Sequence, residues 1–532
     1  MQYDSFQSLA DQDDGDAAGP LAADNPWSTT SQTVVAYPYT GNYRIDTLLD
    51  SFPLNDMSVT SRWNYIQPLG TPWTVTYSFM SMEPAYPDGS GSNAVEGSSG
   101  FTPFTGVQKA VAREIFQRLD AELGIALVEV SDSASSYGQI RLGNNNQPST
   151  AGYAWLPNTD GERSGDVWLD SSFAPYLQSL PPGSPQYATM LHEIGHAMGL
   201  KHPGNYNAGD PSNQEPGNYL GAAEDNYNFT VMSYADVQAR QERDWYGIHD
   251  LLALKTLYGQ GSWNAGNTPH KFIDADGDIL KVINDTSGND TIDLSALTAG
   301  ARLDMRPGTF SSVGLDFWGV PAVDNLSIDF YTVIENFIGT NEADVFTVGN
   351  NAVSGNGRGG LDTVLFTSTR ASYQASATGG TISVTGSGTN DTFTNVERLE
   401  FTDLNLAFDF AGNAGKAARI LGTIFGQGDN PHPAYASVLL SYLDGSMGYE
   451  QLMDGAIDFH LGANHTVSQL VTTIYTNLAG VAPTAQDLAY YSGFITSGYY
   501  TEAQFAMEAA ATVYADWAID IVGQSATGLA YS

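Results

Sequence analysis

The chain has 532 residues, no cysteine, and 59 acidic against 20 basic residues, which gives a formal net charge of −39. Nucleic acids and anionic membrane surfaces repel so acidic a protein, and the lack of cysteine excludes a disulfide framework. No run of 18 apolar residues predicts a membrane-spanning helix, and the length predicts two to four domains. Such a composition is suited to binding divalent cations, although acidity for solubility alone predicts it equally well.

Residues 1–63 are polar, rich in Asp, Ser, Thr and Pro, and show weak hydrophobic periodicity. They predict a propeptide or a flexible N-terminal arm. The segment has no basic stretch followed by an apolar core, so it does not have the pattern of a secretory signal peptide. Because cysteine is absent, inhibition of a metal site by a propeptide cysteine is excluded.

The following 200 residues or so alternate between strand-like and helix-like patterns. A helix is predicted from a cap near Thr105 to a stop at Gly124, because apolar residues recur at helical spacing from Val107 to Leu119. Strands are predicted at residues 74–79, 126–130, 138–142 and 167–169. This order predicts an α/β layout for this part of the chain.

The most informative motif lies in a predicted helix that begins at Ser184 and Pro185. His192 and His196 are one helical turn apart, so both side chains project from one face, where they can share a metal ion. Gly199 is suited to the left-handed residue that ends a helix, which lets His202 approach the same ion from outside. Three of the eight histidines in the chain fall within these eleven residues, which favours a zinc site over a solvated or core-packed histidine cluster.

Glu193 lies beside the two helical histidines, where a carboxylate can act as general base. Zinc lowers the pKa of a bound water, so the motif predicts a catalytic zinc site in which Glu193 activates that water. No Ser/His/Asp or Cys/His arrangement competes with this interpretation, because cysteine is absent and the histidines cluster at the metal.

About thirty residues beyond the last of these histidines, the sequence Thr-Val-Met-Ser-Tyr occupies residues 230–234. Together with the HExxHxxGxxH pattern of residues 192–202, this segment resembles the metzincin zinc endopeptidases, and within them the serralysin family. The resemblance runs roughly from Thr74 to Asp293 and includes GYAW at 152–155, GDVW at 165–168, HPGNYNAG at 202–209 and LYG at 257–259. It implies a metzincin protease domain of the α/β zincin type over residues 64–259.

The resemblance also implies a role for each matching residue. His192, His196 and His202 would bind zinc, and Glu193 would be the general base. Met232 would lie beneath the metal, and Tyr234 would ligate zinc, swing away and donate a hydrogen bond to the developing oxyanion. A strand at the rim of the cleft would pair with an extended substrate; its residues are Ala151, Gly152, Tyr153, Ala154 and Trp155.

Residues 260–410 are rich in Gly, Asn, Asp, Thr and Ser, with short alternating runs that predict β-structure with many turns. The stretch DTSGND at 285–290 resembles the start of the calcium-binding β-roll of serralysins, which belongs to the RTX type, and residues 264–268 align with a loop that completes one calcium site there. The candidate calcium ligands implied by this resemblance are Asn264, Gly266, Thr268, Asp285, Ser287 and Asp290.

The glycine-rich nonapeptide repeats of a full β-roll are nearly absent, with eroded traces at residues 339–344 and 355–362. We therefore expect only one or two calcium ions, and ordinary turn chemistry explains the aspartates of this region equally well. The segment DADGD at 274–278 lacks the glutamate of an EF-hand at the twelfth loop position, where Asp285 stands, so we predict a turn there.

Residues 411–532 shift towards Ala, Leu and Tyr at helical spacing and predict an all-α module. The segment resembles small helical modules found downstream of RTX regions in secreted bacterial proteins. The predicted fold is thus multidomain: an α/β metzincin protease domain, a β-rich degenerate RTX β-roll or sandwich, and an all-α C-terminal domain. The resemblance to serralysins implies export by the type I route, which reads the C-terminal region.

The sequence predicts a secreted zinc endopeptidase of the serralysin type that is stabilised by calcium and acts on proteins or peptides, without nucleic-acid binding or membrane insertion. One alternative is a metzincin of narrow specificity that processes surface-layer proteins of its own cell, for which the loop at 235–245 would be decisive. The other is a non-catalytic surface or adhesion protein that binds a cell-surface partner through its C-terminal 270 residues or so. Glu193 argues against the second alternative, because a binding module has no need of a base.

Overall fold

The computed structural model describes residues 40–54, 57–86, 98–148, 150–157, 161–172, 179–204, 206, 219–235, 241–426 and 433–532. The chain divides into two compact units. The first comprises residues up to 268 together with 273–290 and 307–333, and the second comprises residues 269–272, 291–306 and 334–532. None of the helices in the described ranges has the length and apolarity needed to span a bilayer.

The helices found in the described ranges are α1 (Tyr43–Asp46), α2 (Gly106–Glu122), α3 (Pro185–Ala197), α4 (Ile248–Tyr258), α5 (Asn413–Ile420), α6 (Pro433–Asp444), α7 (Tyr449–Leu461), α8 (Val467–Ala479), α9 (Ala485–Thr496), α10 (Glu502–Ala510), α11 (Val513–Ala518) and α12 (Ile521–Thr527). Single turns of 3-10 helix occur at Gly161–Arg163, Asp274–Asp278 and Arg370–Ser372, and a π-helical turn follows α5 at Leu421–Phe425.

The strands of the N-terminal half are β1 (Ser51–Leu54), β2 (Met57–Thr60), β3 (Trp73–Phe79), β4 (Ser99–Thr102), β5 (Ile125–Glu129), β6 (Ile140–Asn146), β7 (Gly152–Ala154), β8 (Val167–Asp170) and β9 (Glu242–Arg243). The later strands are β10 (Pro269–Lys271), β11 (Ile279–Ile283), β12 (Thr291–Asp293), β13 (Arg302–Asp304), β14 (Phe310–Ser311), β15 (Leu326–Ile328), β16 (Asn336–Ile338), β17 (Val345–Thr347), β18 (Ser354–Asn356), β19 (Thr363–Leu365), β20 (Tyr373–Thr378), β21 (Thr381–Gly386), β22 (Thr389–Thr394), β23 (Arg398–Glu400), β24 (Asn405–Ala407) and β25 (Leu529–Tyr531).

The main sheet of the first unit has the strand order β5-β3-β6-β8-β7, with β4 paired to β6. Strands β5, β3, β6 and β8 are parallel, whereas β7 runs antiparallel to β8 at the edge of the sheet. Helix α3 lies against β7 and β8, and α2 packs on β5. The predicted helices and strands of this segment are confirmed to within about four residues at their ends.

Helix α2 shows why the sheet and helices hold together. The Thr105 side chain accepts a hydrogen bond from the backbone of Gln108, and the Gln108 side chain accepts one from the backbone of Thr105. This capping box satisfies two backbone N–H groups at the start of the helix. Phe116 on its inner face stacks on Tyr77 of β3 with ring centroids 4.2 Å apart. Each large apolar side chain buried in this way contributes about 1.5–3 kcal/mol.

The described residues between 40 and 63 contribute buried side chains to the first unit, which differs from the prediction of an arm up to residue 63. Ile45, Leu48, Leu49 and Trp63 are all buried, and the Trp63 indole donates a hydrogen bond of 2.9 Å to the carbonyl of Ala197 at the end of α3. These four apolar residues lie in a segment that is largely polar. Its composition therefore does not reveal that they pack into the core. Residues 1–39 lie outside the described ranges.

The β-region of the second unit is a roll of short, mainly parallel strands that alternate between two sheets, and each sheet ends in antiparallel strands. One sheet has the order β10-β12-β16-β18-β22-β21-β20 and the other β13-β17-β19-β23-β24-β25. Carboxylates cap the backbone from turn to turn: Ala301 donates to Asp344 at 2.7 Å, Asp344 to Asp362 at 2.9 Å, and Asp362 to Glu397 at 2.8 Å. The aspartates of the two eroded repeats therefore hold the turns by hydrogen bonds.

The remainder of the second unit is helical, as predicted. Thr484 caps α9 and accepts a hydrogen bond from the backbone of Asp487, and the apolar stripe of α8 buries Leu470, Val471 and Ile474. The region is not purely helical, because β25 returns to pair antiparallel with β24. A three-residue strand whose partner lies about 120 residues away leaves no local signal in the sequence.

Candidate metal centre

Helix α3 carries the first two histidines, and its ends match the predicted pattern. Ser184 accepts a hydrogen bond from the backbone of Tyr187, and proline occupies the first turn. The helix ends in a Schellman turn, in which Gly199 donates to His196 at 2.8 Å and Leu200 donates to Gly195 at 3.0 Å. Gly199 has φ +102°, and a β-carbon there would lie 2.4 Å from the carbonyl oxygen of Ser61, so only glycine fits this turn.

Three imidazoles converge just beyond this turn. The Nε2 atom of His202 lies 3.2 Å from that of His192 and 3.1 Å from that of His196, and all three residues are buried. Zinc held at 2.0–2.1 Å by tetrahedral nitrogen ligands separates those nitrogens by about 3.3 Å. The three histidines therefore fit a zinc ion, and no other group of three or more His, Cys, Asp or Glu in the described ranges has donor atoms close enough to hold a metal.

Backbone carbonyls orient two of the three rings. The Nδ1 atom of His192 donates to the carbonyl of Val231 at 2.8 Å, and that of His196 donates to the carbonyl of Leu200 at 2.7 Å. A neutral imidazole that donates through Nδ1 keeps a lone pair on Nε2, which is the form that binds a metal. The turn that ends α3 thus also fixes the tautomer of His196.

Glu193 is fully buried and lies under the edge strand β7. A β-carbon on Gly152 would come within 2.8 Å of Cγ and Oε1 of Glu193, so the strand backbone passes directly over this carboxyl group. The resemblance of the GYAW segment implied a cleft strand but not this contact, which requires a residue without a side chain.

Met232 occupies the floor of the site. Its side chain is fully buried, and its Sδ would lie 2.8 Å from a β-carbon on Gly195, in the turn of α3 between the two histidines. Asp250 of α4 holds the segment in place: it accepts hydrogen bonds from the backbone of Val231 at 2.8 Å and of Gly247 at 2.7 Å. Burial raises the pKa of Asp250 above its ordinary value, and these hydrogen bonds offset part of that increase. No separate sequence signal points to this role of Asp250.

The hydroxyl of Tyr234 lies 2.9 Å from Nε2 of His202, so it faces the same point as the histidines. Tyr206 packs against the Tyr234 ring, with centroids 4.7 Å apart, and its hydroxyl donates to Asp225 at 2.7 Å. Ser233 donates to the same carboxylate at 2.7 Å. Tyr206 and Asp225 thus position Tyr234; sequence reasoning missed both, although Tyr206 lies inside the HPGNYNAG match.

The five predicted substrate-strand residues are at the edge of the sheet, and their large side chains are buried. Tyr153 and Trp155 are buried with Met80 and Trp168 in a separate aromatic cluster. Ala151 and Trp155 form backbone hydrogen bonds to the β8 side, and Tyr153 is paired with Trp168. In this antiparallel register the backbone groups of Gly152 and Ala154 face away from β8.

The six predicted calcium residues are brought together in the first unit. The carboxylate of Asp290 accepts from the backbone of Thr268 at 2.8 Å, the Thr268 hydroxyl donates to the carbonyl of Gly266 at 2.9 Å, and Asp285 accepts from the backbone of Ser287 at 3.3 Å. Asn264, with φ +52°, begins this loop. Burial, together with the charge of Asp290, raises the pKa of Asp285 to about 6. Two adjacent buried carboxylates near backbone carbonyls fit a hard cation.

A family model for the C-terminal part of serralysin peptidases of family M10 matches residues 251–425. A serralysin from Proteus mirabilis is 32% identical over 333 residues, which are 56% of this chain and 62% of the relative. Metallopeptidase AprA from Pseudomonas marginalis is 29% identical over 53% of this chain and 61% of its own length. Serralysin C from Dickeya chrysanthemi is 28% identical over 64% of this chain and 73% of its own length.

The chain is thus similar to serralysin-type metallopeptidases over roughly half to two thirds of its length. The match spans about three fifths of the length of the first two of these relatives. The family model begins in α4 and ends at the π-helical turn after α5, so it reaches across the β-roll.

Proposed function

We propose that this chain is a secreted, zinc-dependent endopeptidase that hydrolyses peptide bonds in proteins and is stabilised by calcium. The observation that carries the proposal is the convergence of three histidine Nε2 atoms, at 3.1 and 3.2 Å, together with the buried carboxyl of Glu193 on the helix that carries two of them. Similarity to proteins named as serralysins and as a metallopeptidase supports it. A non-catalytic adhesion protein would have no use for this arrangement.

His192, His196 and His202 would hold the zinc, which when bound acidifies a water molecule and polarises the scissile carbonyl. Glu193 accepts a proton from the attacking water and transfers it to the nitrogen of the leaving amine. Because this carboxyl group is fully buried beneath β7, bulk water does not compete for the proton.

Tyr234 donates a hydrogen bond to the oxyanion that develops on the scissile carbonyl. Its hydroxyl already faces the histidine cluster, 2.9 Å from His202. Tyr206 and Asp225 restrict the positions of this ring, which lowers the entropy lost when the hydrogen bond forms.

The substrate binds as an extended strand along the free edge of β7, with its backbone paired to Gly152 and Ala154. This places the scissile bond above Glu193, because Gly152 contacts that side chain. A small depression lies between the edge strand and the first turns of α3; Ala151, Leu169, Leu180, Gln186 and Thr189 contribute to its lining.

Calcium would be held by Asp285 and Asp290 with carbonyl groups of the loop from Asn264 to Thr268. The acidic composition without cysteine is consistent with a secreted protein that relies on metal ions rather than disulfides. Export by the type I route, and a cell-surface or surface-layer partner for the helical module, are part of the same proposal.

Digestion of casein tests the proposal. We expect cleavage by the purified chain, its loss after dialysis against a zinc chelator, and its recovery when zinc is returned in excess calcium. Cleavage that survives complete removal of zinc, or no cleavage by the zinc-loaded chain, would contradict it.

A further inference from the structure

One loop of the first unit presents large apolar side chains to solvent. Phe317 and Trp318 are each 63% exposed, Val320 is 55% exposed and Val323 is 53% exposed. Ile273, which precedes the neighbouring 3-10 turn, is 57% exposed. We call these five residues the apolar tip. Clusters of this kind on a soluble protein generally mark an interaction site, whereas single scattered apolar residues are ordinary on protein surfaces.

The loop is held rigidly by its own polar groups. Asn325 accepts from the backbone of Val313 at 2.9 Å and donates to the carbonyls of Val313 and Asp276 at 3.1 Å. Asp316 accepts from the backbone of Trp318 and of Val320, each at 2.9 Å. The exposed side chains therefore stand on a fixed backbone, and a partner loses little entropy in ordering it.

A chain of contacts links the apolar tip to the proposed substrate path. Gly277 of the 3-10 turn packs on the backbone of Leu315, since a β-carbon there would lie 2.4 Å from its nitrogen and oxygen. Ile279, which follows that turn, packs against Gly183, with 3.0 Å from its side chain to a β-carbon at that glycine. Gly183 lies two residues before α3 and three after Leu180, which lines the depression beside the edge strand.

The negative charge around the apolar tip indicates which kind of partner it can bind. Its two segments, residues 273–281 and 312–324, contain five aspartates and one lysine. That lysine, Lys281, is already paired with Asp276 at 3.2 Å and with Asp244 at 2.8 Å. Anionic membranes and polyanions are repelled by such a surface, whereas a chain with apolar residues and flanking Lys or Arg complements it.

We propose that the apolar tip is an exosite: it binds a segment of the protein substrate, rich in large apolar residues and in Lys or Arg, that lies outside the residues at the scissile bond. The inference rests on the proposed endopeptidase function. The exosite would make the enzyme selective among proteins that share the same cleavage-site residues, because the apolar tip binds a second segment of the substrate.

Three peptides with one common core, taken from a cleavage site in the casein digest, test the exosite. The first is the core alone, the second adds about ten residues of Phe, Leu and Lys, long enough to extend about 33 Å, and the third adds Ser and Glu instead. Extensions are made at either end of the core. We expect wild-type kcat/KM for the Phe/Leu/Lys peptide to exceed that for the core by roughly tenfold at one end.

The variant Trp318→Ser should remove this advantage and leave cleavage of the core unchanged. Trp517→Ser is the matched control, because Trp517 is 76% exposed on α11 in the second unit and should behave as wild type. Equal kcat/KM for wild type and Trp318→Ser on the Phe/Leu/Lys peptide, or a wild-type preference for the Ser/Glu peptide, would overturn the exosite alone.

Two further outcomes would each contradict the exosite for a different reason. If wild type cleaves none of the three peptides and no casein, the endopeptidase proposal falls and the exosite with it. If Trp318→Ser abolishes self-association measured by sedimentation but not peptide selectivity, the tip contacts a second copy of the chain, which also overturns the exosite.

Discussion

The β-carbon that Gly152 lacks would lie 2.8 Å from both Cγ and Oε1 of Glu193. The edge strand and the proposed base are thus in van der Waals contact through a glycine, and neither can move far without the other. The strand that would align the substrate also sets the position of the carboxyl group that would take the proton.

Gly152→Ala should lower kcat/KM for peptide hydrolysis at least about tenfold, because the new methyl group must displace either the strand or Glu193. Overpacking of this kind costs about 1–3 kcal/mol. Gly106→Ala is the control, since a β-carbon at Gly106 has no neighbour within 4 Å. Full activity of Gly152→Ala would show that the contact is dispensable.

Glu193→Gln should keep zinc bound, because all three histidines are untouched, while hydrolysis falls by at least about a hundredfold, the usual contribution of a general base. Metal analysis of the purified variant and its casein digestion rate are the two measurements. Wild-type turnover by a zinc-loaded Glu193→Gln variant would rule out the glutamate as base.

Tyr234→Phe should lower kcat more than it raises KM, because the hydroxyl would interact mainly with the oxyanion of the transition state. Tyr514→Phe, at a ring that is 76% exposed in the second unit, serves as control. An unchanged kcat in Tyr234→Phe would reduce the residue to a packing role beside His202.

Removing calcium should lower the melting temperature, because an ion bound only by the folded state stabilises it by mass action. Calorimetry with a calcium-selective chelator, and zinc replenished, measures the shift. The variant Asp290→Ala should lose most of this calcium dependence, whereas Asp454→Ala, at an exposed position of α7, should retain it. If calcium removal shifts the melting temperature of neither the wild type nor Asp454→Ala, hydrogen bonds alone hold the loop from Asn264 to Thr268.

Asp362 predicts a pH dependence of the second unit in the absence of calcium. Burial raises its pKa from 3.8 to about 8, with the charges of Asp344 and Glu397 adding to the effect. The folded unit therefore binds the proton more tightly, so its contribution to stability is full below about pH 4 and is lost as the pH rises through 8. The slope is at most about 1.4 kcal/mol per pH unit.

Thermal unfolding in chelator at several pH values between 4 and 9 measures this loss. Asp362→Asn retains an oxygen to accept from the backbone of Asp344, and it should flatten the decline. An equally steep decline in Asp362→Asn would assign the titration to another group.

Sequence reasoning located helix α3 and its histidines well because the patterns that predict them are local. The two histidines of α3, the caps at Ser184 and Pro185, and the turn at Gly199 fall within 16 residues, where helical periodicity and turn chemistry fix the geometry. The strands and helices around it also follow from short-range patterns.

What the sequence did not reveal depends on contacts between distant residues. Asp250 holds a turn that lies about 20 residues away, Tyr206 positions Tyr234 across 28 residues, and Trp63 bonds to Ala197 across 134 residues. Such contacts are decided by tertiary packing, so no window of sequence contains them. For the same reason the buried side chains of Tyr153 and Trp155 could not be separated from cleft residues.

The pairing of β24 with β25 makes the helical region an insertion rather than an appendage. Adjacent strands of one sheet lie before and after helices α5–α12, so cutting the chain near residue 410 would remove one of the two partners of β24 and leave an open edge prone to association. A deletion that joins β24 to β25 through a short turn would instead preserve the sheet. The helical region is thus best studied by excision, with the final strand retained.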